Sequence, residues 1–142
     1  MEKEKLTPRV KKLLSKMEKE RGYVSLAKNY VAKADPDFME AYNNLYNNGL
    51  GAGKALPVKT RELVAIAILA FRTRDDGVYE HMKRALRHGA TKQELLEAVE
   101  TTIVPGGAPT FDCGIRALMR IMAEEENEKK AKKSPFGQGS VG

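Results

Sequence analysis

The sequence predicts an all-α protein, and three observations carry that prediction. No segment alternates apolar and polar residues with the period of two that a strand requires. Apolar residues recur at helical spacing through about six segments, and cap and stop signals bound those segments. At 142 residues, with 42% hydrophobic and 31% charged residues, the chain is long enough for one domain with a buried core. Its centre is the stretch Arg61 to Gly89, whose first half carries no charge from Leu63 to Phe71. A helix apolar all round is expected to be buried. Two titratable residues, Glu62 and His81, stand at the edges of this predicted hairpin.

Thr7-Pro8 gives an N-cap hydroxyl followed by proline at the first helical position, and Gly22 supplies the stop. Val10, Leu13, Leu14 and Met17 form the apolar stripe of this first helix, with its lysines on the opposite face. A second helix, about Val24 to Ala34, presents Leu26, Ala27, Tyr30 and Val31. Asp35-Pro36 repeats the cap-plus-proline signal and opens a third helix through Phe38, Met39, Tyr42, Leu45 and Tyr46, stopped at Asn47 to Gly49. The glycine-rich run to Gly53 lacks the ending of a nucleotide loop and follows no strand, so it reads as a connector.

The central helix is expected over Val58 to Arg72, and the next from Gly77 to His88 with Asp75 or Asp76 as its N-cap. In that second helix Val78, Tyr79, Met82, Ala85 and Leu86 share one face and His81 lies at its margin. Thr91-Lys-Gln-Glu94 is a capping box opening a helix with Leu95, Leu96, Val99 and Ile103. Val104 to Pro109 breaks the chain. A last helix, Thr110 to Lys130, is expected to bury Phe111, Ile115, Leu118, Met119 and Met122. The layout is a basic first helix (1–22), a helical domain (23–130) and a disordered tail (131–142).

The net charge of +6 comes mainly from residues 1–22, where eight Lys/Arg face four Asp/Glu. With no aromatic residues among those lysines, this is a solvated helix face rather than a nucleic-acid surface. No apolar run approaches the ~20 residues of a membrane span. The amino terminus has no apolar core of a secretion signal. The single Cys113 excludes an intrachain disulfide and suits a reducing cytoplasm. Two histidines without a ligand spacing give no metal site.

From about Val24 to Ile121 the sequence resembles the carboxymuconolactone decarboxylase family, the all-α group that also contains the alkylhydroperoxidase AhpD proteins. The matching residues are Leu56-Pro-Val-Lys-Thr-Arg-Glu-Leu63, His81 with Ala85, Gly89-Ala-Thr-Lys-Gln-Glu94, and Gly106-Gly-Ala-Pro109. The resemblance implies an AhpD-like bundle of about six helices. It also implies a homo-oligomer, commonly a hexamer built as a trimer of dimers, with sites near subunit contacts. In the peroxidase branch a glutamate, a Cys-x-x-Cys pair and a histidine form the motif. Laid on this chain the glutamate falls at Glu62 and the histidine at His81, while the cysteine positions hold Arg74 and Gly77. Thiol chemistry needs a thiolate and a resolving partner, and both are missing there.

The decarboxylase branch likewise lacks the cysteines, keeps the histidine and works without a cofactor. The resemblance therefore implies a lyase of aromatic degradation acting on a small carboxylated lactone or related acid. In it His81 is the proton donor, Glu62 orients or relays, and Arg74 binds a substrate carboxylate. Each residue also has a structural account: Glu62 in the field of a helix N-terminus, Arg74 as a turn residue, His81 as a packed imidazole. The alternative function is a non-catalytic oligomeric binding or scaffold protein of the same fold. A thiol peroxidase using Cys113 stands behind both.

Overall fold

The computed structural model describes residues 6–133. Among them all regular structure is helical, in seven helices: α1 (Pro8–Arg21), α2 (Leu26–Ala34), α3 (Pro36–Leu50), α4 (Val58–Phe71), α5 (Asp75–Arg87), α6 (Lys92–Glu100) and α7 (Ile103–Lys133). The chain divides into two compact units, Met1–Val58 and Lys59–Gly142. Of the expected tail, residues 131–133 end α7 and 134–142 lie outside the described residues.

The first unit is built by its caps. Thr7 accepts from the Val10 amide with Pro8 at N1, and Gly22 closes α1 at φ 85°, a left-handed conformation that glycine adopts without strain. Ser25 caps α2 and Asp35 caps α3 through the Phe38 amide. The apolar stripe of α1 (Val10, Leu13, Met17) packs with Ala32 and Met39. Arg21 is buried at the end of α1, its guanidinium 3.8 Å from the Tyr46 ring centre and its Nη2 donating to Asn43 Oδ1 at 2.5 Å. Leu26, Tyr30, Phe38 and Leu45, apolar members of the helical pattern, are exposed. The stop expected at Asn47 to Gly49 comes slightly later, at Leu50.

In the second unit α7 packs against α5 and α6, and Ile66 and Ala70 of α4 join the same core as Val78, Met82, Leu95, Val99, Cys113 and Ile121. Gly114 is the close-approach point of α6 and α7: a Cβ there would meet Val99 at 2.5 Å. The Thr91 capping box is complete, each side chain bonding the other's backbone amide. The break expected at Val104 to Pro109 narrows to one residue, Gly107, at φ 72° within α7. Only glycine takes that conformation readily, and Pro109 just beyond cannot donate a helical bond.

Two expectations fail here for a shared reason: a helix pattern records which residues are apolar, not which are covered. The apolar α4 is buried only along Glu62, Ile66 and Ala70, while Val64, Ile68 and Phe71 are about half exposed, at 52%, 56% and 60%. Met119 and Met122 of α7 are likewise exposed. The start of α5 also differs. Arg74 occupies its N-cap without a side-chain cap bond, and Asp75, inside the helix, turns to α7, where it accepts from Cys113 and Arg116.

Candidate active site

A buried stripe at positions 62, 66 and 70 of α4 would ordinarily be apolar throughout. Glu62 takes the first of those places and is fully buried. A carboxylate removed from water must be matched by donors, and two come from α5. Arg84, itself buried, donates through Nη1 to Glu62 Oε1, and His81 Nδ1 lies 2.6 Å from Oε2. His81 and Arg84 stand three residues apart on α5, so one turn aims both at α4. The Val78, Met82 and Ala85 face beside them is inserted in the core and fixes the rotation of the helix.

The structure thus joins two of the three residues singled out in the sequence. Glu62 is not merely a carboxylate in a helix-end field. His81 is positioned by Glu62 while 16% of its side chain remains exposed. Arg74 is placed apart from the pair: it is exposed, at the N-cap of α5. Seven residues separate it from His81, roughly 10 Å along a helix axis.

Arg84 is the residue that sequence reasoning missed. An arginine on an amphipathic helix reads as solvated, and its only signal was the spacing of three from His81. His88 shares that helix margin. Partial desolvation, then the charge of Arg84, lower its pKa below the ordinary imidazole value. Cys113 is buried on α7 and donates through Sγ to Asp75 Oδ1 at 2.8 Å. Desolvation, with the carboxylate bond second, pushes its thiol up to about 11. A thiol held protonated in this way is a poor nucleophile.

On the other side of α4, a groove of about 350 Å³ runs between α4 and α6, lined by Leu63, Val64, Ala67, Glu94, Glu97 and Ala98 among others; it contains neither Glu62 nor His81. No group of three or more potential metal ligands occurs among the described residues. No helix among them is long and apolar enough to cross a membrane.

The model of the carboxymuconolactone decarboxylase family matches residues 36–120, the span that holds Glu62, His81 and Arg84. An uncharacterised protein of Cupriavidus necator is 33% identical over 88 residues, covering 62% of this chain and 77% of its own. One from Methanocaldococcus jannaschii is 30% identical over 89 residues, covering 58% of this chain and 86% of its own. Among solved structures, a protein of Burkholderia xenovorans named for carboxymuconolactone decarboxylase superposes with a TM-score of 0.72 at 25% identity, over 89% of this chain and 97% of that one. A carboxymuconolactone decarboxylase family protein of Legionella pneumophila gives 0.60 at 25% identity, over 80% and 94%.

Proposed function

The chain belongs to the carboxymuconolactone decarboxylase family, and on that footing we propose that it is a cofactor-free carboxy-lyase acting on a small carboxylated lactone or a related enolisable acid. The observation that carries this reading is the buried Glu62 carboxylate holding at 2.6 Å the ring of His81, whose side chain remains partly exposed.

Decarboxylation breaks the bond to the departing carboxylate, releases carbon dioxide and leaves the electron pair on carbon, delocalised as a dienolate. That carbon must then gain a proton. His81 delivers it, because an imidazole gains and loses protons near neutral pH. Glu62 orients the ring through its contact with Nδ1. Arg74 binds a substrate carboxylate through its fork of donors. The favourable choice is a carboxylate other than the departing one, since ion pairing would hold the leaving group back.

The test is turnover of 4-carboxymuconolactone by the purified protein, followed by ultraviolet absorbance and by released carbon dioxide. Turnover above the uncatalysed rate is expected. A folded protein that turns over neither this acid nor its close analogues overturns the reading in favour of a binding or scaffold role. The reading also carries a homo-oligomer, supported by the uncovered Val64, Ile68 and Phe71 of α4. A monomer by analytical ultracentrifugation would contradict that part.

A further inference from the structure

Glu62 has a partner at each of its oxygens, Arg84 at Oε1 and His81 at Oε2, and the two bonds are not independent. An arginine guanidinium has only donors and keeps its charge at any pH a protein survives. Arg84, buried and donating to Oε1, therefore favours the ionised carboxyl, which can only accept. The hydrogen in the 2.6 Å contact between Oε2 and His81 Nδ1 must then come from the imidazole. A neutral imidazole carries one N–H, so a hydrogen on Nδ1 makes Nε2 the basic nitrogen, and the imidazolium loses its mobile proton from Nε2.

We propose that Arg84 is a positioning residue of this site: by fixing Glu62 as an acceptor it sets His81 in the Nδ1–H tautomer and assigns proton exchange with the substrate to Nε2. The tautomer follows from the contacts of this chain. Its catalytic consequence rests on the proposed role of His81 as proton carrier. Such a device acts through two neighbours, since Arg84 bonds Glu62 and Glu62 bonds the ring that reacts.

The experiment reads the ring directly. The chain has two histidines, so long-range nitrogen–proton correlation spectra of protein labelled at histidine are assigned with a single His88→Gln variant. At a pH where the His81 ring is neutral, the wild type should show a pyrrole-type Nδ1 and a pyridine-type Nε2. In Glu62→Gln, Arg84 retains the carbonyl oxygen and turns the amide NH2 toward His81. Nδ1 must then accept, and the tautomer should switch to Nε2–H. In the double variant Glu62→Gln with Arg84→Met, nothing holds the amide orientation and the switch should collapse to a mixture.

An Nε2–H ring in the wild type, or an unswitched ring in Glu62→Gln, overturns the proposal. A clean Nε2–H ring in the double variant overturns the part given to Arg84. The wild-type spectrum needs a variant only for assignment, at the exposed His88. The expected tautomer without turnover on carboxylated lactones would sink the lyase reading alone, and turnover with the wrong tautomer would sink this one alone.

Discussion

The Glu62 carboxylate and the His81 imidazole, nineteen residues apart in sequence, meet at 2.6 Å between Oε2 and Nδ1, and Arg84 closes the other side of the same carboxylate. Glu62 is fully buried, so the pair is supported by a buried ion pair rather than by solvent. Most of what the protein is expected to do follows from that arrangement.

Removing Arg84 should expose its cost. Arg84→Met leaves the buried Glu62 carboxylate with the His81 ring as its remaining partner, and breaking a buried ion pair in this way typically costs about 3–5 kcal/mol. Urea denaturation should show a loss in that range, with a smaller loss when Glu62→Gln accompanies it. A change in the single variant near zero would mean that the pair does not bear on stability.

The Cys113 thiol should be inert in the folded protein. With a pKa of about 11, only about a thousandth of it is thiolate at pH 8, whereas an ordinary cysteine is partly ionised there. Reaction with a disulfide reagent at pH 8 should be slow in native protein and fast after unfolding. Rapid native labelling would reopen the thiol reading. Full lyase activity in Cys113→Ser would close it.

The contact of α6 and α7 should reject a methyl group. Gly114→Ala sets a Cβ 2.5 Å from the Val99 methyl groups, and overpacking a core of this kind costs about 1–3 kcal/mol. Val99→Ala removes the atoms that clash, so the double variant should be more stable than the sum of the two singles predicts. Simple additivity in thermal denaturation would contradict the close approach.

Acid should weaken the first unit through Glu20. Burial pushes this carboxyl up, but donors from Asn47 and Asn43, with Lys16 and Arg21 nearby, outweigh it and hold the pKa below the ordinary 4.5. The unfolded chain therefore binds the proton more tightly than the folded one. The stabilisation is complete above about pH 4.5 and is lost as pH falls through the lower folded value. Glu20→Gln should flatten the fall in stability below that pH. An unchanged acid profile would show that the carboxyl does not contribute.

The sequence was most legible where a local rule suffices. Thr7, Asp35 and the Thr91 box mark helix starts because a cap needs only residues three apart. Glu62 and His81 were legible as candidates because charge at the edge of an apolar hairpin is conspicuous. Arg84 was not, since its burial is a tertiary fact created by the very carboxylate it meets. The open faces of α4 and α7 were also hidden: Val64 and Ile66 look alike in sequence, yet only Ile66 is covered by this chain. Asp75 fitted a capping rule and was drawn instead to Cys113 and Arg116, more than thirty residues away.

Whether His81 carries the proton is read most directly from kcat for decarboxylation of 4-carboxymuconolactone by wild type and by His81→Ala, both shown to be folded by circular dichroism. Loss of a general acid should lower kcat by about 10²–10⁴-fold with little change in KM. An His81→Ala enzyme that keeps the wild-type kcat would contradict the account.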